Sequence, residues 1–399
     1  MNETKKQSLG AEAWELLRRN IRNYAMYIAL AVIFIVFQIL SKGMFLTARN
    51  ITQLINQTGY VAVMAVGMTL VLIICQIDLS VGFLAGFIGA CTGRLLTAGV
   101  AVPVVVLIVL AVGTCIGFIY GNIIGRVGVP AFVTTLAGEF IFRGLLTLVT
   151  ESTGTIPINN DTFYSLSNGF VPELFMIGEK IHGLTVLAGL IAIGGIIYSE
   201  TRKRRELQKY NFNVSSVPIF IFKILFFGVL IGALTYILAG YKGISWTVIV
   251  VVIVVAAYSF VLNNTKVGRY IYGMGGNPEA AKLSGVNTKK ILIGVFMSMG
   301  AMASLGGVLY TSRIGSATPT AGSGFELDAI ASCYIAGVAT TGGVGNVVNS
   351  VVGAFVIMSL TNGLNLLGIG ISYQYLIKGI IFILAVAMDV RSRGAKVIN

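Results

Sequence analysis

Charged side chains are scarce in this sequence. Asp, Glu, Lys and Arg make up 11% of its 399 residues, while hydrophobic residues make up 56%. A soluble globular protein carries roughly 25% charged residues, so this chain has too few polar groups to cover a water-facing surface. The scarcity excludes an ordinary soluble protein and predicts that lipid is much of its solvent.

Residues for catalysis and metal binding are also few. His182 is the only histidine, and no G-x-x-x-x-G-K-[ST] phosphate loop occurs. We therefore expect no enzyme activity and no bound cofactor, and any ATP that drives the protein must bind to another subunit. The cysteines lie in or beside apolar runs without metal-type spacing and predict small buried residues rather than disulfides: Cys75, Cys91, Cys115 and Cys333.

Long apolar runs, by contrast, are abundant. A helix needs about 20 apolar residues to cross the bilayer core, and in lipid the backbone must satisfy its own hydrogen bonds. The sequence therefore predicts an all-α, multi-pass protein of the cell membrane, one transmembrane domain over residues 1–399 with about 10–12 transmembrane helices. The apolar segments are 24–41, 58–76, 79–98, 102–125, 128–150, 183–198, 216–239, 245–263, 290–311, 327–340, 347–367 and 374–390.

Three stretches qualify that pattern. Residues 44–57 are amphipathic and are expected to lie at the membrane interface. The Gly-rich stretch 326–348 predicts a short or broken helix. Gly113, Gly117, Gly121 and Gly125 recur every four residues and predict a close helix–helix contact, with a sliding face as the functional alternative.

The placement of positive charge predicts the orientation. The formal charge of +13 does not indicate nucleic acid, because Lys and Arg concentrate in alternate loops, as the positive-inside rule requires. Both termini are then cytoplasmic, with a cytoplasmic segment at 1–22, the main external loop at 151–180 and a cytoplasmic loop at 265–289. The inside loops hold Arg18, Arg19, Arg22, Arg126, the Arg202–Arg205 cluster, Lys266, Arg269, Lys282, Lys289, Lys290, Arg391 and Arg393.

Charged residues at membrane depth are candidate functional residues. In "QIDLSVG", Asp78 and Ser80 suit a capped helix break, or else a gate in a pathway. Glu139 and Arg143 have the spacing of a helical ion pair, which favours a structural role. The acids of "FELDAIA", Glu326 and Asp328, suit the start of a helix.

The last two apolar segments carry the other polar candidates. Lys378 lies inside the final segment, where it either snorkels or faces a wet cavity. Asn362, Asn365 and Gln374 lie nearby in sequence and suit sugar hydroxyls. Helix–helix packing explains the same residues equally well.

The segment "GRYIYGMGGNPEAAKLSGVNTKK" (268–290) is a polar island between apolar runs. Asn277 suits an N-cap, Pro278 the first helical position, and Gly285 the end of the helix. A helix over 278–284 is marginal by itself and needs a surface, either the chain's own membrane domain or another protein. Docking candidates are Gly275, Gly276, Asn277, Pro278, Glu279, Ala280 and Ala281.

This segment resembles the coupling loop of bacterial ABC importer permeases, and it is most similar to that of the ribose, galactose and xylose family. The resemblance extends to "IDLSVG" (77–82), "GVPAFVTTLAG" (128–138) with "FRGL" (142–145), and "ELDAIA" (326–331), in the family's order. The extra charged stretch near 199–245 resembles the longer, xylose-type members. Gln76 and "AGVATTGGVG" (336–345) depart from the family's usual residues and leave the ligand open.

The resemblance implies a permease subunit that imports a xylose-, galactose- or glucose-like monosaccharide. Its partners would be an ABC ATPase, an extracytoplasmic sugar-binding protein, a second permease copy, with a homodimer expected, and the lipid bilayer. Alternatives are a same-family importer of a nucleoside, branched-chain amino acid or furanone signal, and an ion-coupled secondary transporter. A non-transporting membrane scaffold is a further class.

Overall fold

The computed structural model describes residues 26–178, 181–210, 212, 214 and 216–394. The expected cytoplasmic segment 1–22 lies outside these residues. The described helices are α1 (Met26–Leu40), α2 (Ala48–Ile73), α3 (Val81–Thr97), α4 (Val102–Asn122), α5 (Ala131–Thr150), α6 (Asp161–Asn168), α7 (Gly183–Lys209), α8 (Val217–Ala239), α9 (Trp246–Asn264), α10 (Lys266–Gly276), α11 (Pro278–Leu283), α12 (Thr288–Ile314), α13 (Phe325–Ile335), α14 (Val347–Leu366) and α15 (Ile371–Gly394).

Strands are few and very short in the described part of the chain. β1 (Ile156–Pro157) pairs antiparallel with β4 (Ser316–Ala317), and β2 (Met176–Ile177) pairs with β3 (Ile181–His182). Among the described residues, eight helices are long and apolar enough to cross a membrane, and α1, α3 and the apolar part of α15 are shorter apolar helices. The predicted all-α, multi-pass fold is confirmed.

Two element boundaries differ clearly from the sequence-based prediction, and a third helix is short, as predicted. α2 begins at Ala48 rather than residue 58, so most of the predicted interfacial stretch is the first part of a 26-residue helix. α7 continues past 198 to Lys209, because its Lys, Arg, Glu and Leu residues favour helix and no proline follows until Pro218. α13 has only 11 residues and is followed by a Gly-rich turn, as the short-helix prediction required.

The chain divides into two compact units. Among the described residues, the smaller unit comprises 46–52 and 170–245, and it contains the helix pair α7–α8. Gly189 allows close approach there, because a Cβ at this position would overlap the Thr235 side chain. Glu200 of α7 accepts a 2.7 Å hydrogen bond from Lys223 of α8. The pair is thus joined by a close glycine contact, an ion pair and the Arg204 guanidinium, which lies 4.9 Å from the centroid of the Phe220 ring.

The larger unit comprises the described residues 26–45, 53–169 and 246–394, and α12 runs through its core. Phe296, Met299 and Ala303 of α12 are completely buried. The glycine stripe of α4 packs on this helix, since a Cβ on Gly117 would overlap the carbonyl oxygen of Phe296. The predicted close helix contact is confirmed, and its partner is α12.

Candidate functional site

Within the polar island, residues 278–283 fold as predicted into a short capped helix, while the first part of the predicted loop forms the helix α10, which the sequence did not indicate. The Asn277 side chain accepts a 2.9 Å hydrogen bond from the Ala280 N–H and so caps α11. At the other end, the Val286 N–H donates to the Ala281 carbonyl oxygen and the Gly285 N–H to that of Lys282, both at 3.0 Å. These two bonds, with Gly285 at a φ of +83°, form a Schellman motif. Local sequence therefore specifies both ends of α11.

Exposure divides the docking candidates into two groups. Gly276, Asn277, Pro278, Glu279 and Ala280 are exposed. Gly275 and Ala281 are buried within the chain, so they do not belong to the exposed face of the segment.

One prominent apolar residue of this segment has little signal in the sequence. Leu283, at the end of α11, is 89% exposed. Its only signal in the sequence is a leucine between Lys282 and Ser284 in an otherwise polar turn. Leu283 therefore adds an apolar side chain to the exposed surface of α11.

Asp78 occupies the break between α2 and α3, as predicted. It is buried, and its Oδ1 accepts hydrogen bonds from the Ser80 N–H at 2.9 Å and from the Ser80 hydroxyl at 2.7 Å. Thr135 of α5 also reaches this break, donating to the Ile77 carbonyl oxygen at 3.3 Å. The geometry fits the capped-turn alternative, in which the carboxylate organises the start of α3.

Lys378 has a defined partner in the short helix α13. Its Nζ donates to both carboxylate oxygens of Asp328, at 2.9 and 3.0 Å. The two side chains are only 20% and 11% exposed. This ion pair joins α13 to α15. A paired ammonium costs less free energy at membrane depth than an unpaired one, which explains why a lysine is tolerated there.

Gln374 and Asn365 form a second polar contact, in the turn between α14 and α15. The Gln374 side-chain amide donates to Asn365 Oδ1 at 2.8 Å and to the Ile369 carbonyl oxygen at 2.9 Å. Gln374 is buried and Asn365 is exposed, while Asn362 is buried within α14. These bonds hold the turn together, as expected if Gln374 serves helix packing rather than the pathway.

The predicted ion pair within α5 is absent. No salt bridge joins Glu139 to Arg143 among the described residues, and the Arg143 guanidinium lies over the Phe83 ring, 5.5 Å from its centroid. The (i, i+4) spacing permits such a pair, but a neighbouring aromatic face offers the cation an alternative. Glu326 is buried in α13, close to the Gly82 backbone of α3.

The predicted external loop is partly structured. Ser167 of α6 donates to the Leu309 carbonyl oxygen at 2.7 Å, and Ser312 of α12 donates to the Phe163 carbonyl oxygen at 2.6 Å. Asn160 caps α6 through a 2.9 Å bond from the Phe163 N–H. This part of the loop is therefore a helix fixed to the core rather than a free polar segment.

The rest of that loop contacts His182, the only histidine of the sequence, which lies just beyond the end of the loop. His182 contacts the Glu173 carboxylate, which also accepts a 3.3 Å bond from the Leu184 N–H. Partial burial alone would raise the pKa of Glu173, but the hydrogen bonds to His182 and to backbone N–H groups together lower it. The anionic Glu173 side chain therefore holds the loop against the start of α7.

Comparison with known proteins shows that the chain matches a family of transport proteins. The family described as "Branched-chain amino acid transport system / permease component" matches residues 50–386. The chain is 35% identical to a xylose transport system permease protein of Haemophilus influenzae over 375 residues, which is 94% of this chain and 97% of the relative.

Two relatives in Escherichia coli are similarly close. The xylose transport system permease protein is 33% identical over 373 residues, covering 93% of this chain and 92% of the relative. The ribose import permease protein is 32% identical over 378 residues, covering 95% of each. No solved structure matches the chain at a significant level.

Proposed function

Because the chain belongs to the family of branched-chain amino acid transport system permease components, we propose that it is the membrane-spanning subunit of an ATP-driven monosaccharide importer. The observation that carries the sugar assignment is the near full-length similarity to xylose and ribose permeases. The permease class agrees with the eight helices suited to crossing a membrane that the described part of the chain contains.

The partners follow from the importer class. An ABC ATPase supplies energy from the cytoplasm, a sugar-binding protein delivers the solute outside, and two copies of this chain form the pathway in the cytoplasmic membrane. The exposed face of α11, with Glu279, Ala280 and Leu283, is the surface that we assign to the ATPase. Its capped ends fix the helix geometry before any partner binds, which reduces the entropy lost on docking.

Six polar residues stay candidates for the pathway or its gates: Lys378, Asn362, Asn365, Gln374, Asp78 and Ser80. Sugars are neutral, so their route needs polar contacts rather than unpaired charges. The Asp328–Lys378 pair meets that condition, because both charges are compensated beside α14. Opening the pair during transport would expose two hydrogen-bonding groups to a passing hydroxyl.

The direct test is uptake into vesicles that contain the permease with its cognate ATPase inside and its binding protein outside. Radiolabelled xylose is expected to accumulate only with ATP and both partners. Uptake without the ATPase, driven by a proton or sodium gradient, would contradict the proposal and favour a secondary transporter.

The family description gives one second candidate, a branched-chain amino acid. Competition separates the two solutes in the same vesicles. Unlabelled xylose or ribose is expected to compete with labelled xylose, and leucine is not. Uptake of labelled leucine with no uptake of either sugar would reverse the assignment.

A further inference from the structure

Three separate parts of the chain meet at the C-terminal end of α10, with backbone packed on backbone. A Cβ on Gly275 would overlap the Ile73 carbonyl oxygen at the end of α2 and would lie 2.7 Å from the Gly343 nitrogen. We call Ile73, Cys75, Gly275, Gly342 and Gly343 the glycine junction. At Gly275 the backbones of these segments lie too close together for any side chain to fit between them. Movement of α10 must therefore move its neighbours.

Hydrogen bonds reinforce these close approaches. The Gly343 N–H donates to the Ile73 carbonyl oxygen at 2.8 Å. The Cys75 thiol lies 3.0 Å from the Thr341 carbonyl oxygen and 3.5 Å from that of Gly275. Hydrogen bonds therefore join the end of α2 to the turn before α14. The Cys75 thiol, just after α2, also contacts α10.

Three residues of the junction have left-handed backbone conformations. Gly342 and Gly343 have φ values of +76° and +71°, and Cys75 is a non-glycine residue with a φ of +58°. A side chain on Gly342 would overlap the Cys75 sulfur. Left-handed conformations at non-glycine residues are costly and occur where the surrounding structure requires them.

A side-chain bond from α10 extends the contact. The Tyr272 hydroxyl donates to the Gly345 carbonyl oxygen at 2.8 Å. Tyr272 and Gly275 lie on the same α10 helix and both reach the 341–345 turn. α10 is thus attached to this turn at two points about one helical turn apart.

The junction stands between the proposed docking helix and the buried charges. On one side, α11 follows α10 directly through Asn277. On the other side, Asp78 follows Cys75 by three positions, and the 341–345 turn connects α14 to α13, which carries Asp328. A displacement of α11 can therefore pass through the junction to the α2–α3 break, which holds Asp78, and to the C-terminal end of α13.

We propose that the glycine junction transmits the movement of α11 to the α2–α3 break and to α13, with Tyr272 and Gly275 as positioning residues. This inference rests on the proposed function and specifies which contacts couple ATP hydrolysis to the transmembrane core. The transmitting element must have two arrangements for this to work, and the Gly-rich turn supplies the backbone freedom for a second one.

Tyr272→Phe and Gly275→Ala test the proposal in vesicles that contain the assembled importer. Tyr272→Phe removes one hydroxyl, and Gly275→Ala adds one methyl group where a Cβ would overlap Ile73. Tyr270→Phe and Gly273→Ala are matched controls on the same helix, since Tyr270 is 40% exposed and a Cβ on Gly273 meets nothing within 4 Å. The measured quantity is xylose taken up per ATP hydrolysed.

The expected result is a several-fold fall in that ratio for both junction variants, with ATPase assembly retained and both controls at the wild-type ratio. If Gly275→Ala does not fold, Tyr272→Phe decides the question. A merely structural role would lower the melting temperature and the yield but leave the ratio unchanged in assembled complexes. An unchanged ratio for Tyr272→Phe would overturn the proposal. Absence of ATP-dependent uptake in the wild type would instead contradict the proposed function itself.

Thiol labelling gives a readout that does not depend on the solute. Cys75 is exposed, and in a Cys91→Ala/Cys115→Ala background the other remaining cysteine, Cys333, is buried. Adding ATPase with MgATP and vanadate is expected to change the labelling rate of Cys75 in the wild type and not in Tyr272→Phe. An equal rate with and without nucleotide in the wild type would overturn the transmission role.

Discussion

At the scale of single residues, the buried Asp328–Lys378 pair is the most consequential polar contact. Its geometry is bidentate, and the environment excludes much of the water that would otherwise solvate either charge. Removing one member of such a pair leaves an uncompensated buried charge, whereas removing both does not.

We therefore expect Lys378→Met to destabilise the permease by roughly 3 kcal/mol. The double variant Asp328→Asn/Lys378→Met should recover most of this loss. Arg202→Ala is the control, because its pair with Glu206 is exposed to solvent and such a pair contributes little to stability. Melting temperatures of the purified protein check all three variants, and a double variant less stable than Lys378→Met would contradict the pairing.

Gln374 gives a second residue-scale prediction. Gln374→Leu removes both hydrogen bonds to the α14–α15 turn, and we expect a lower rate of uptake with normal ATPase assembly. Asn365→Leu removes one of the two bonds and is expected to have a smaller effect. Initial uptake rates in vesicles measure this, and wild-type rates in both variants would show that these residues are packing contacts away from the pathway.

At the scale of elements, α11 is the part of the chain whose local sequence most closely matches its structure. Its cap, its proline and its Schellman ending are all encoded within nine residues, 277–285. These local signals fix where the helix begins and ends, while Glu279 and Ala280 stay exposed and available for another protein.

Glu279→Lys and Ala280→Trp are expected to uncouple ATP hydrolysis from uptake while the protein stays in the membrane. Charge reversal and added bulk both disturb an exposed docking face, whereas the near-isosteric Glu279→Gln is the mild control. Hydrolysis and uptake measured on the same vesicles check the prediction. Normal uptake with Glu279→Lys would count against docking through this face.

At the scale of the whole molecule, the distribution of positive charge predicts the orientation in the membrane. Asn159 and Lys282 are both exposed and belong to the same compact unit. The positive-inside rule places Lys282 and the Arg202–Arg205 cluster in the cytoplasm and Asn159 outside.

In a background without Cys75, Cys91 and Cys115, a cysteine at position 159 should react with a membrane-impermeant thiol reagent in intact cells. A cysteine at position 282 should react only after the cells are opened. The reverse pattern would show that the chain crosses the membrane in the opposite sense.

By itself, the sequence determined the membrane class, most helix positions and the transport family. Helical runs of apolar residues are local signals, and so are the cap at Asn277 and the stop at Gly285. The glycine repeat at 113–125 also predicted a close helix contact, because the absence of side chains on one face is visible without a fold.

Only the tertiary structure decided which residues meet across the chain. Lys378 and Asp328 are 50 positions apart, and Gly275 meets Ile73 across 202 positions, so neither contact has a local signature. The missing Glu139–Arg143 pair has the same cause, since the face of Phe83 comes from another helix. Spacing along one helix states which contacts are possible, while packing between helices selects the partner that lowers the free energy most.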